Sequence, residues 1–281
     1  MLLILVSCDK VLDLNVPIEE PRLTINCLIN PNDTLNIFVG RTSNPYENPY
    51  DINEAYVSNA SITLIEDGVA FRGFVYEEFR GLYLSNFLPK IGSEYQLIVD
   101  VPGFEQVVSD IVTIPENRGY DIQLESVDTL GTYPSAIFSI QFDDPSSQKN
   151  GYAFNLNPTE RSIYGSFGFS SRITGFYEEG CHFERGGLFS LTGHVFDDYC
   201  FNGSRANVQV STSYTEQGAE FSLNFYTLDA QTYAFASSTG KYEQYQYGLE
   251  IYLDPVRVHS SFENAYGVFG AFNYSSRVVR F

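Results

Sequence analysis

Tyr95-Gln96-Leu97-Ile98-Val99-Asp100-Val101-Pro102-Gly103 decides the fold class. Tyr95, Leu97, Val99 and Val101 share one face of an extended chain, and Gln96 and Asp100 take the other. That period of two marks a half-buried strand. Pro102-Gly103 is a turn, Phe104 to Ile114 reads as a single return strand, and Pro115 closes it. Upstream, Ala60, Ile62 and Leu64 alternate with Ser61 and Thr63, and Glu66-Asp67-Gly68 ends the run with a hairpin signal. Leu35, Ile37 and Val39 alternate as well. Cys27 lies in the strand-like run Leu23 to Leu28 and reads as a small buried hydrophobe. Residues from about 20 to 115 thus form one β unit, interrupted by a long irregular loop from Thr42 to Tyr56 that carries Pro45 and Pro49.

Beyond a polar joint at Glu116 to Tyr120 the same pattern resumes. Strands are expected at Asp121 to Val127, around Phe138, Ile140 and Phe142, and around Tyr152, Phe154 and Leu156. Val208 with Val210, and Phe221, Leu223 and Phe225, are further alternating runs. One helix is predicted over Tyr226 to Gly240, with Asp229 as its N-terminal cap and Gly240 as its stop. A final strand, Gly267 to Asn273, closes the second unit.

Composition agrees with an all-β reading. Tyr (21) and Phe (23) supply nearly all the aromatic content and Trp is absent, which favours strands over helices. Lys plus Arg is 16 against 35 Asp plus Glu, a formal net charge of −19. So acidic a surface repels phosphate backbones and argues against nucleic acid as a partner.

Near the N-terminus stands Leu5-Val6-Ser7-Cys8, the pattern of a bacterial lipoprotein cleavage site with Cys8 as the lipidated residue. The apolar run before it, Leu2 to Val6, is shorter than the roughly 7–15 residues of a complete signal core. Residues 1–19 are therefore read as a truncated lipoprotein signal and linker. Acyl chains contribute about 0.8 kcal/mol per buried methylene, so two or three hold a domain on a membrane without a spanning helix.

The ordered motifs resemble a known family. Phe196-Asp197-Asp198-Tyr199-Cys200-Phe201-Asn202-Gly203, the Tyr233-Ala234-Phe235 segment, and Asp254-Pro255-Val256 followed by Ser261 to Gly270 are similar to stretches of the DUF4249 family of Bacteroidota envelope lipoproteins. In the N-terminal half Pro21-Arg22-Leu23, Val57 to Leu64 and Val101-Pro102-Gly103-Phe104 match in the same order. The resemblance implies an outer-membrane lipoprotein, often encoded beside TonB-dependent receptors, with an immunoglobulin-like N-terminal domain. It supplies no catalytic residues.

Chemistry-bearing clusters are sparse. Cys181-His182, His194 and Cys200 leave three readings open: a disulfide between Cys181 and Cys200, a Cys₂His₂ metal set, or inert thiols. Only Cys181 and His182 are close in sequence, and adjacent strand residues face opposite ways, so no metal or cofactor is expected. The carboxylate pairs Asp143-Asp144 and Asp197-Asp198 read as solvated turns; Asp143-Asp144 near Asn150 was the one weighed for calcium, without EF-type spacing. Tyr46 and Tyr50 in the long loop, with Tyr242 and Tyr245 beside the helix, are the candidate aromatic binding surface.

The expectation is an all-β chain of two β-sandwich-like domains. Residues 20–116 form an immunoglobulin- or prealbumin-like sandwich, and residues 117–281 a larger β domain with one short helix. The expected function is that of a non-catalytic accessory binding protein, held at the outer membrane by its N-terminal lipid and working with a TonB-dependent receptor in nutrient uptake. A structural or assembly factor of the envelope is the alternative, and a glycan-directed enzyme the third reading.

Overall fold

The computed structural model describes residues 20–43, 55–128, 135–146, 149–159, 170–175, 183–185, 193–213, 220–247 and 256–280. The linker over 1–19 with Cys8, the loop tyrosines Tyr46 and Tyr50, and Cys181 with His182 lie outside the described residues.

In the first half, strands run over Leu23–Ile29 (β1), Asn36–Arg41 (β2), Ser61–Glu66 (β3), Val69–Phe71 (β4), Val75–Glu77 (β5), Leu82–Leu84 (β6), Glu94–Asp100 (β7), Val107–Val108 (β8) and Val112–Thr113 (β9). The second half holds Tyr120–Asp128 (β10), Ser135–Asp143 (β11), Gly151–Pro158 (β12), Ser170–Gly175 (β13), Phe183–Arg185 (β14), His194–Asp197 (β15), Arg205–Ser213 (β16) and Glu220–Leu228 (β17). Helix α1, Ala230–Tyr247, and strand β18, Tyr266–Arg280, complete the described chain. The protein is all-β with a single described long helix, as the alternating patterns predict.

Three sheets make two β-sandwich-like bodies. A nine-stranded sheet in the order β14-β15-β12-β17-β18-β1-β2-β6-β5 runs through both. One end of it faces the sheet of β4, β3, β7 and β8, with β9 also on β7; the other end faces β10-β11-β16-β13. The first core gathers Leu23, Ile25 and Cys27 of β1 with Leu97 and Val99 of β7 and Ile62 and Leu64 of β3. The second is aromatic. Phe142 and Tyr152 meet at 4.7 Å between ring centroids, and Phe142 also meets Phe225 at 4.8 Å and Phe201 at 5.5 Å. Such pairs add about 0.5–1.5 kcal/mol each beyond the area they bury.

The turn Glu66-Asp67-Gly68-Val69 has positive φ at both central residues, 47° at Asp67 and 82° at Gly68. That geometry matches the right-handed twist of the flanking strands. The Asp67 carboxylate accepts the Glu94 N–H at 2.9 Å, which ties the turn to the start of β7 and holds the carboxyl below its usual pKa.

Three expectations are corrected. The return strand over Phe104 to Ile114 is two short strands, β8 and β9, both on β7. Between them Ser109 turns inward: its hydroxyl accepts the Leu97 N–H at 2.9 Å in place of a ladder carbonyl, while its own N–H donates to the Leu97 carbonyl at 2.9 Å. The predicted helix start, Tyr226 to Leu228, is the end of β17, held in place by β12 and β18 on either side. Asp229 does cap the helix, accepting the N–H groups of Gln231 and Thr232. Gly240 does not stop it. Thr232, Ala236 and Gly240, four residues apart, are the buried positions of α1 between Ala230 and Gly240. This stripe of small residues lets the helix lie close on the outer face of the nine-stranded sheet, where Ala236 packs with Ala153, Val195 and Leu228. Glycine there costs about 1 kcal/mol of helix propensity, which the contact with the sheet offsets.

The third correction concerns the last strand. It is fifteen residues long, not seven, and serves both bodies. Its N-terminal part pairs parallel with β1, from Thr24↔Tyr266 to Ile29↔Ala271. From Phe272 to Arg280 it pairs antiparallel with β17. Phe262, Ala265, Phe269 and Ala271 consequently belong to the first core. These residues reach the first core from more than two hundred positions beyond β1.

Candidate functional site

The first body carries an open groove of ≈ 850 Å³ lined by Leu23, Phe104 and Val107 and by the charged side chains of Glu20, Arg22, Arg41, Glu105 and Glu263. Local sequence explains its shape. Gly103, at φ 89°, turns the chain sharply after β7 and sends Phe104 and Glu105 back along one wall. Leu23 and Val107 reach its base but are buried in the first core, so half-buried Phe104 is its main accessible apolar side chain. Arg22 precedes β1, and the register opposes Leu23 to Arg41. Arg22 is held twice by its backbone: its N–H donates to the Thr42 hydroxyl at 3.0 Å, and its carbonyl accepts the Thr42 N–H at 2.9 Å. Its guanidinium lies 5.6 Å from the centre of the Tyr266 ring, a cation–π arrangement. Asn264 donates to the Gln106 carbonyl at 3.0 Å and fixes the opposite rim.

The groove therefore offers both signs of charge beside one half-buried aromatic ring, Phe104. Such a surface suits an amphoteric chain with apolar side groups better than a simple anion or cation. The sequence places no function here, although Pro21-Arg22-Leu23 and the Val101-Pro102-Gly103-Phe104 turn stand out as motifs. Glu263 and Asn264, just before β18, complete the lining with them.

The carboxylate pairs behave differently from solvated turns. In each pair the first member ends its strand and is the more exposed, and the second, just past the strand end, is buried. Asp143 is exposed, with its carboxylate 3.6 Å from Arg205. Asp144 is buried, and its carboxylate accepts the Tyr152 hydroxyl, the Asn150 side-chain amide at 3.2 Å and the Gly203 N–H at 2.9 Å. Asp198 is buried too and accepts the Asn150 N–H at 2.8 Å. Burial raises the Asp198 carboxyl above its ordinary value against the opposing pull of that hydrogen bond. Burial likewise raises the Tyr152 hydroxyl, with the neighbouring Asp144 adding to the effect. Asp144 thus spends both oxygens on donors of the protein. This is a lock joining the 144–150 and 198–203 turns, not a cation cradle. It gives the Phe196 to Gly203 motif a structural role that no sequence signal revealed. Among the described residues no group of three or more His, Cys, Asp and Glu side chains could hold a metal ion.

The remaining candidates fall as follows. Cys200, beside the lock, is disulfide-bonded, and its partner is not among the described residues. Cys27 is a free buried thiol, which burial pushes up to about 12. His194 is buried and stacks on Phe154 at 5.0 Å. Tyr242 is exposed on α1 and is not among the residues lining the groove; Tyr245 lies in the last turn of that helix. Among the described residues no helix is long and apolar enough to cross a membrane.

A family model described as a domain of unknown function, DUF4249, matches residues 9–278. No curated protein matches the chain. Among solved structures, Escherichia coli alpha-2-macroglobulin activated by porcine elastase is similar at 14% identity and TM-score 0.23, over 74% of this chain and 18% of that one. A putative membrane anchored protein from Corynebacterium diphtheriae aligns at 8% identity and TM-score 0.23, over 74% and 54% of the two chains. The C-terminal domain of the Streptococcus pyogenes antigen I/II-family protein AspA aligns at 7% identity and TM-score 0.26, over 75% and 95%. This chain spans under a fifth of the macroglobulin's length. Superpositions this loose bear on neither mechanism nor partner.

Proposed function

Because this chain belongs to the DUF4249 family, we propose that it is an outer-membrane lipoprotein that binds a partner without chemistry, as an accessory to a TonB-dependent receptor in nutrient uptake. The observation that carries the reading is the groove at the start of β1. It sets half-buried Phe104 among Arg22, Arg41, Glu20, Glu105 and Glu263, a mixed-charge surface with an aromatic contact that suits a polypeptide segment.

Its position supports the tether. Arg22 lies fourteen residues after Cys8, and an extended chain spans at most about 3.3–3.6 Å per residue. The groove is thus held within about 50 Å of a lipid on Cys8, where loops or a plug of a membrane-embedded receptor are in reach. Tethering keeps the local concentration high, so modest affinity suffices. The buried carboxyls support a binding role over a catalytic one, since Asp144, Asp198 and Asp229 each accept backbone N–H groups.

The test is a pull-down from native membranes with three proteins. Wild type is expected to fractionate with the outer membrane and to recover a TonB-dependent receptor. Cys8→Ala should move to the soluble fraction. Arg22→Glu/Arg41→Glu should stay on the membrane and lose the receptor. Recovery of assembly machinery alone, or receptor capture indifferent to the groove charges, defeats the proposal.

A further inference from the structure

Strand β10 ends its sheet. The order β10-β11-β16-β13 leaves one side of β10 without a described neighbour, and every residue from Gln123 to Asp128 is exposed. The other sheet ends that the structure describes are short. β4, β5 and β14 have three residues each, β8 has two and β13 six, whereas β10 has nine. Short edges offer too few backbone groups to template another chain, and longer ones in soluble proteins are usually blunted by lysine or proline. β10 contains neither. It also exposes two large apolar side chains, Leu124 at 49% and Val127 at 41%. A bulge between Leu124 and Ser126 re-aims the strand there.

Charge selects the occupant. β10 carries Asp121, Glu125 and Asp128 and no basic residue; Arg205 of β16 reaches the exposed Asp121 carboxylate at 3.3 Å and the Ser139 hydroxyl donates to Glu125, which leaves the strand acidic in net charge. A second copy would bring three more carboxylates onto the same edge, from a chain of formal net charge −19. Like charges across paired strands are unfavourable, so self-pairing is disfavoured. An extended segment with alternating apolar and basic residues meets all the requirements. Its backbone satisfies the open ladder, its apolar side chains cover Leu124 and Val127, and its cations face the carboxylates.

We propose that the outer edge of β10, which has no neighbour among the described residues, is a strand-addition site for an extended, lysine- or arginine-bearing segment of another protein. The site lies on the second body and does not depend on the groove reading.

The experiment uses the full chain and a short capped peptide of alternating lysine and valine, followed by fluorescence anisotropy and by amide exchange. Expected are saturable binding, slower exchange across 121–128, and at least tenfold weaker binding when the central valine of the peptide is replaced by proline. A glutamate–valine peptide should not bind. Leu124→Lys and Val127→Lys, at exposed positions, should each weaken binding severalfold while the melting temperature holds. Equal binding of the proline or glutamate peptide, protection on another strand, or a concentration-dependent dimer that protects β10 without peptide would each overturn the proposal.

Discussion

Gly267→Ala tests how the two bodies are joined. Gly267 is the second residue in the parallel pairing of β18 with β1, opposite Ile25, at φ 111°. A Cβ built there would lie 2.0 Å from the Ile25 carbonyl oxygen and 2.8 Å from Oδ1 of Asn26. The first obstacle is backbone and cannot rotate away. A side chain at such a φ costs about 1–3 kcal/mol, and forcing the strands apart adds about 1–3 kcal/mol of overpacking. The sum is about 2–6 kcal/mol. At roughly 2–4 °C per kcal/mol for a chain of this size, the melting temperature should fall by on the order of 10 °C. Gly92→Ala is the control: its φ is 79°, but nothing lies within 4 Å of its added Cβ. It should lose only the backbone share, about 1–3 kcal/mol. Urea denaturation of both variants gives the difference, and amide exchange across Leu23–Ile29 locates it. Equal losses in the two variants, or unchanged protection of β1 in Gly267→Ala, would refute the steric argument.

Asp144→Asn should cost about 2–4 kcal/mol by urea denaturation, because the carboxamide puts a donor against the donors of Tyr152, Asn150 or Gly203. Burial raises the Asp229 carboxyl, so the folded state takes its proton more readily than the unfolded chain. That contribution is fully present below the ordinary carboxylate pKa and is lost as pH rises through the raised folded value. Asp229→Asn keeps a capping oxygen and removes the titration, so its stability relative to wild type should improve from pH 4 to pH 7; a constant difference would show that Asp229 does not titrate abnormally. Peptide mapping under non-reducing conditions should recover Cys200 in a bonded peptide, with Cys181 as the expected partner; a peptide joining Cys200 to Cys8 would remove both the pairing and the lipid site.

Much of the fold is legible in local pattern. Tyr95 to Val101 and Tyr152 to Leu156 alternate because a strand has a period of two, whatever surrounds it. Asp67-Gly68 specifies its turn through backbone φ alone. The capping role of Asp229 is equally local, since its partners lie two and three residues on. The groove and the lock are not local. Arg22 and Glu263 are separated by most of the chain, and no spacing rule brings them together. Asp144 reads like its neighbour Asp143 until the sheet assigns one to the core and the other to solvent.

From the residues alone come the all-β character, the alternating faces, the helix cap, the acidic surface and the family motifs, since each depends on short-range sterics, side-chain type or formal charge. Tertiary structure decided the rest. It made Tyr266 to Arg280 the common strand of both bodies, turned Gly240 from a helix stop into a buried helix position, buried one carboxylate of each pair and left the edge of β10 without a neighbour among the described residues. These outcomes depend on which distant strand supplies the missing hydrogen bonds and apolar cover, and hydrogen bonds between strands leave no periodic trace in either partner's sequence.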